Sequence, residues 1–297
     1  MATMNADLLP YVVTPNPSAF TSSPRAARVL SVLVVVLAVV ACSVGMLWPK
    51  VYGDKLWEGA LGNDLVTLLL GVPILTASLI YSIRGSFRGT LLWLGSLYYM
   101  LYNYAFYLFG VPVSKLFPVF VVLFIFSAFA LVFGVAGLDL HKAGRVFTAK
   151  TPARTIAAWM FFLGLMITRV WMVPWLKFAL YGVSPRVYDS ENAYRVIATV
   201  DLVFMVSLLF PTAYWLWKRQ PLGFVLAAMM NVQGALYTTV LAVCCVFSWK
   251  AGVADALSML PNWIFGTVVS VLCLTGLLWN IDETGSCDSS SKPAMAS

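Results

Sequence analysis

Charge is scarce in this 297-residue chain: Asp, Glu, Lys and Arg together make up 10% of it, against roughly a quarter in ordinary soluble domains. So few charges could not cover a soluble surface, and a soluble fold is excluded. Histidine is scarcer still. The single one, His141, stands beside Lys142 in a basic stretch, which excludes a histidine metal site or proton relay within the apolar runs. The five cysteines, Cys42, Cys244, Cys245, Cys273 and Cys287, form no CxxC motif and no paired loop set; neither a zinc site nor a disulfide framework is indicated.

Catalytic signatures are missing as well. HExxH, GxSxG, P-loop and GxGxxG patterns do not occur, and RGSFRGT is a short basic turn rather than a phosphate cradle. A retinal Schiff base needs a lysine in the middle of a span, and Lys250 falls at the end of one. The Tyr-Asp pair of intramembrane aspartyl proteases is found only as Tyr188-Asp189, in a loop. The residues therefore assign no catalytic group, no cofactor and no metal, and an enzyme is the less favoured reading.

What is present is apolar: 61% of the residues are hydrophobic. Crossing the hydrocarbon core takes about 20 apolar residues in a helix, and lipid admits only helices or closed barrels. Eight runs qualify, at Arg28–Trp48, Asp64–Ile83, Leu91–Gly110, Leu116–Gly137, Thr155–Leu176, Tyr194–Trp217, Leu222–Ser248 and Pro261–Ile281. The fold class is all-α, a polytopic transmembrane bundle of about eight spans. Residues 28–281 form that domain, and the Ser-, Pro- and Ala-rich segments 1–27 and 282–297 are expected to be disordered tails. The first run carries Val39-Val40-Ala41-Cys42, which resembles a lipoprotein cleavage box, but it continues to Trp48 and reads as a retained span. No internal repeat is evident.

The net charge of +7 resides in short connections, where it is a topology signal rather than a sign of nucleic acid. RGSFRGT, DLHKAGRVFTAKTPAR and KRQP hold Lys and Arg with only Asp139 to balance them. The alternate connections mix Lys and Arg with Asp54, Glu58, Asp189, Glu191 and Asp255. Both termini are thus expected to be cytoplasmic, in a multi-pass protein of the cell membrane. Lys142, Arg145, Lys150 and Arg154 give the second basic loop an expected attraction to anionic lipid.

Polar groups deep in a span are rare and face a partner or a wet cavity. Arg169 lies seven residues before the outer end of the fifth run at Leu176, and Asp201 seven residues after the start of the sixth at Tyr194. Matching depth on consecutive helices predicts an Arg169–Asp201 ion pair. Asn103 falls at the same level, with Tyr99, Tyr102 and Tyr107 on or beside its face. Asp64, Thr67, Gly71, Ser78 and Ser82 form a small, polar stripe suited to close helix packing or to a wet path. Pro73, Pro174 and Pro211 interrupt spans, and Asn231 and Gln233 are expected to bond across helices.

The stretches GNDLVTLLLGVPIL, RGSFRGTLLWLGSLYYMLYNYAFYLFG, ATVDLVFMVSLLFP and KRQPLGFVLA resemble a family of multi-span membrane proteins that has no established activity. The resemblance implies the architecture and a shared pattern containing Asp64, Arg84, Arg88, Tyr102, Asn103 and Asp201; it supplies no catalytic residue. The functional expectation is a small-solute or proton-coupled transporter, its site formed by Arg169, Asp201, Asn103, Tyr99 and Asp64. A sensor or scaffold with a structural ion pair is one alternative. A lipid-linked enzyme using Asp54, Glu58 and Asp64 at the outer face is another.

Overall fold

The computed structural model describes residues 25–52, 57–187 and 190–282. Both expected tails fall largely outside them, as do Asp54, Asp189 and the side chain of Glu58. The described chain is helical throughout, in the order α1 (Arg25–Leu47), α2 (Trp57–Val66), α3 (Val72–Ile83), α4 (Phe87–Gly110), α5 (Phe117–Ala136), α6 (Leu140–Val146), α7 (Ala153–Tyr181), α8 (Glu191–Val200), α9 (Ser207–Trp217), α10 (Pro221–Lys250) and α11 (Leu260–Trp279). One π-helical turn, Thr67–Gly71, joins α2 to α3, and another, Asp201–Val206, joins α8 to α9. All eight apolar runs thus fall on long helices, two of them broken in the middle.

Seven of these helices are long and apolar enough to cross a membrane. The eighth, α4, has the length but not the hydropathy, because Tyr98, Tyr99, Tyr102, Tyr104, Tyr107 and Asn103 crowd its second half. Its burial explains how so polar a helix is tolerated. α4 packs against α3, α5, α8 and α10, and every one of those five phenols is buried. Protein, not lipid, surrounds it.

The chain also repeats itself, although no internal repeat is evident from the sequence alone. α1 to α5 and α7 to α11 are two consecutive four-span units. In each, a single helix is followed by a broken helix, a tight turn, a long helix and a 20-residue helix that has proline at its start. Asp64-Leu65-Val66 recurs as Asp201-Leu202-Val203, and Pro73 and Pro211 follow at nearly equal distance. The tight turns match bond for bond: the N–H groups of Arg84, Gly85 and Ser86 reach Ile80, Ser82 and Tyr81, while those of Lys218, Arg219 and Gln220 reach Tyr214, Leu216 and Trp215. Both turns need a left-handed residue, Gly85 in one and Arg219 in the other.

Three residues into the next helix each unit carries a glycine at the crossing. A Cβ on Gly89 would stand 2.6 Å from that of Tyr81, and one on Gly223 would strike the backbone of Trp215 and Leu216. The units then interlock. α3 and α9 pack on the long helix of their own unit, α4 and α10 respectively, whereas α2 packs on α10 and α8 on α4. The π turns are where each broken helix passes from one partner to the other.

The connections that the sequence marks as basic gather at one end of the bundle. Arg88 donates to the carbonyls of Leu278 (3.0 Å) and Ile281 (2.7 Å), Arg219 to Thr148 (2.8 Å) and Thr151 (3.3 Å), and Thr148 N–H to Asn280 (3.2 Å). At the opposite end Lys115 lies over the Trp48 ring, 4.6 Å from its centroid.

Ala substitution at Gly89 or at Gly223 is expected to destabilise the protein to a similar degree, about 1–3 kcal/mol, because each overpacks an equivalent crossing. Gly59→Ala, whose methyl would meet open space, should be neutral or stabilising by up to ~1 kcal/mol. Thermal unfolding of the detergent-solubilised protein compares the three.

Candidate functional site

α4 is the hub of the interior, and its side chains divide by helical face. Residues four apart stack on one side, so Tyr99, Asn103 and Tyr107 turn toward α2. The hydroxyls of Tyr99 and Thr67 lie 2.7 Å apart, Thr67 donates to Asn63 Oδ1 (3.1 Å), and Asn63 donates to Asn103 Oδ1 (2.8 Å). Asp64, 3% exposed, follows Asn63 and is held from two sides. Tyr107 donates to its Oδ1 (2.9 Å) and Tyr52 to its Oδ2 (2.8 Å).

The small stripe on α2 and α3 therefore faces α4. A Cβ on Gly71 would lie 2.9 Å from the Tyr99 ring, and the hydroxyls of Ser82 and Thr90 are 3.0 Å apart. On the α1 side a Cβ on Gly45 would run into Asp64 Oδ2 and the Tyr52 hydroxyl; the carboxyl occupies the space that glycine leaves. Tyr104, Tyr107 and Phe120 close the cluster with ring contacts.

The second face of α4 holds Tyr98 and Tyr102, which turn toward the second π turn. Tyr98 donates to the carbonyl of Phe204, and Tyr102 to Oδ1 of Asp201. The other oxygen, Oδ2, accepts from Trp171 Nε1 of α7 at 2.8 Å. Tyr194 donates to the Trp171 carbonyl, fixing that residue from behind. Tyr237 of α10 meets the Tyr102 ring edge-on at 4.6 Å.

Four of the five residues singled out in the sequence thus lie in this interior, on two adjoining clusters: Asp64, Tyr99 and Asn103 in one, Asp201 in the other. Arg169 does not join them. It lies on the exposed face of α7 and makes no ion pair with a described residue. The expected Arg169–Asp201 pair is replaced by Trp171 and Tyr102, for two reasons. α7 runs on to Tyr181, which moves Arg169 twelve residues from the helix end instead of seven. It also turns Trp171, two residues further on, toward Asp201, and residues two apart do not share a face.

Tyr52, Asn63, Tyr107 and Trp171 are further partners, which charge at membrane depth does not reveal: Tyr107 is expected only as a neighbour of Asn103, and Tyr52 sits in a connection rather than a span. Of the two amides on α10, Asn231 donates within its own helix to Ala227 (2.7 Å), contrary to the expected cross-helix bond. Gln233 does reach across, its Nε2 lying 4.0 Å from the sulfur of Met205 in the second π turn. Its Oε1 is buried without a partner among the described residues. The outer-face enzyme reading gains no site here, since Asp64 is enclosed and Asp54 and Glu58 lie outside the described side chains. No group of His, Cys, Asp and Glu among the described residues could hold a metal ion.

Comparison with family models, curated proteins and solved structures finds no match to this chain.

Because Arg169 and Asp201 are not partners, a double-mutant cycle of Arg169→Gln with Asp201→Asn is expected to give a coupling below about 0.5 kcal/mol. The cycle of Trp171→Phe with Asp201→Asn should give about 1 kcal/mol or more, as removing either partner breaks a buried hydrogen bond to a carboxyl group. Unfolding in mixed micelles measures both.

Proposed function

We propose that this multi-pass membrane protein is a proton-linked transporter of a small polar solute, working at the interior face shared by α4, α10 and the two broken helices. One observation carries the reading: each unit places a carboxyl at or beside a π turn with no cationic partner among the described residues, Asp64 three residues before one and Asp201 at the start of the other. π turns inside helices are frequent at functional positions. Repeated units with interrupted helices near mid-membrane are the architecture of many transporters.

A carboxyl without a counterion is balanced by a proton or by a bound cation alone, so it can change charge without breaking an ion pair. Asp64 and Asp201 are the proton-carrying positions on this reading. The free amide oxygen of Gln233 beside Met205, with Tyr102 and Tyr237 next to it on α4 and α10, supplies polar groups for a solute. Arg169 has no part in this site.

A second reading has its own support, because all four carboxyl oxygens already accept a hydrogen bond from Tyr52, Tyr107, Tyr102 or Trp171. That is also how a purely structural polar core is satisfied, as a sensor or scaffold would need.

Proteoliposomes loaded with a pH-sensitive dye distinguish the two when pools of small solutes are added under a clamped membrane potential. The transporter reading expects a solute-dependent pH change that Asp201→Asn and Asp64→Asn each reduce by about tenfold or more, the loss typical of a proton-transfer group; Arg169→Gln leaves it intact. Loss of thermal stability in the two Asn variants, with every flux unchanged, would establish the structural core instead.

A further inference from the structure

A cavity of about 300 Å³ opens at the basic end of the bundle, lined by Thr151, Pro152, Ala153, Arg154, Thr155 and Arg219. It lies away from both carboxyl clusters, and the argument for it is independent of the transport reading.

The local sequence leaves this spot short of acceptors. α7 begins after Pro152, which has no side chain to cap it. The Ala153 N–H turns back to Thr151 (2.7 Å) and that of Ile156 bonds to Pro152 (3.1 Å), but the N–H groups of Arg154 and Thr155 find no acceptor among the described residues. They stand at the positive end of a 29-residue helix. Two guanidinium groups flank them. Arg219, in its left-handed turn conformation (φ 55°), uses Nη1 and Nη2 on the carbonyls of Thr151 and Thr148 and lies over the Phe224 ring. Arg154 lies over the Trp217 ring. Neither makes an ion pair among the described residues.

The second observation is a hydroxyl. Thr151 lines the cavity, is only 2% exposed, and its buried Oγ1 has no hydrogen-bond partner among the described residues. A buried donor is rarely left unmet. Two cations without an ion pair among the described residues and two free N–H groups therefore border one small cavity, with an unmet hydroxyl buried beside it, and their common complement is an oxyanion with several acceptor oxygens. Further along α7, Phe161, Phe162 and Leu165 are exposed and apolar, as befits a helix that meets acyl chains just beyond the cavity.

We propose that this cavity binds the phosphate of an anionic lipid headgroup in the leaflet on the basic side. Arg154 and Arg219 supply the charge, and the N–H groups of Arg154 and Thr155 with the Thr151 hydroxyl supply the fixed donors. A free phosphate ion shares this chemistry. The apolar face of α7 next to the cavity favours the lipid.

The test uses the full-length protein in detergent, with lipid binding measured by native mass spectrometry against phosphatidylglycerol, phosphatidylcholine and inorganic phosphate. Phosphatidylglycerol should bind in preference to phosphatidylcholine, and Arg219→Gln should weaken it by about tenfold. Because Arg219 also ties down the 148–151 turn, Arg154→Gln, whose side chain lies over the Trp217 ring, serves as the second variant with a comparable loss expected. Arg145→Gln, exposed on α6 at the same end, should change the affinity by no more than about twofold. An equal loss from Arg145→Gln would reduce the effect to diffuse surface charge and overturn the site. Retention of inorganic phosphate with no preference between the two lipids would overturn the lipid assignment.

Discussion

A helix that carries five tyrosines and an asparagine over ten residues can lie inside a bilayer only if other helices receive it, because lipid offers no partner for a phenol or an amide. α4 is that helix, and the placement of its neighbours follows from the requirement. Asn63 and Asp64 come from α2, Thr67 from the first π turn, Asp201 and the Phe204 carbonyl from the second π turn, and ring contacts from Phe120 and Tyr237. In each case the α4 side chain is fixed by a group that would itself be costly to leave unpaired. The interior is held by mutual satisfaction of neutral donors and carboxyls, not by ion pairs.

The two π turns belong to the same economy. A regular helix from Trp57 to Ile83 or from Glu191 to Trp217 would keep one face turned to one neighbour. With a widened turn ahead of Pro73 and Pro211, the first half of each broken helix lies on the long helix of the other unit and the second half on that of its own. The two four-span units are joined through this exchange and through the direct contact of α4 with α10, so neither unit has a separate core. Asp64 and Asp201 meet different faces of α4, at Tyr107 and at Tyr102, which is why one helix can satisfy both.

The spans were legible in the sequence because the length and hydropathy of a crossing helix are set by the bilayer rather than by its neighbours. Even the Tyr-rich third run could be recognised by its length. Asp64, Asn103, Tyr99 and Asp201 were likewise recognisable, since a polar group at that depth is exceptional wherever it points. The pairing was not recognisable. Equal depth along two helices placed Arg169 opposite Asp201, but the azimuth of a residue depends on where its helix ends and how it is rotated, and the continuation of α7 to Tyr181 altered both. The repeat escaped for a related reason: only Asp-Leu-Val, a later proline and a glycine at the crossing are shared, while the apolar letters between them are free to vary in lipid.

By itself, then, the sequence determined the solvent, the number of long helices and the short roster of polar residues that must be accommodated in the interior. It also determined which connections carry the basic charge. Tertiary structure alone decided the partners: Trp171 and Tyr102 for Asp201, Tyr52 and Tyr107 for Asp64, an exposed place on α7 for Arg169, and a basic cavity where two distant turns meet at Thr151 and Arg219. The physical reason is that hydropathy is a property each segment has alone, whereas a hydrogen bond between helices depends on the rotation and crossing of both.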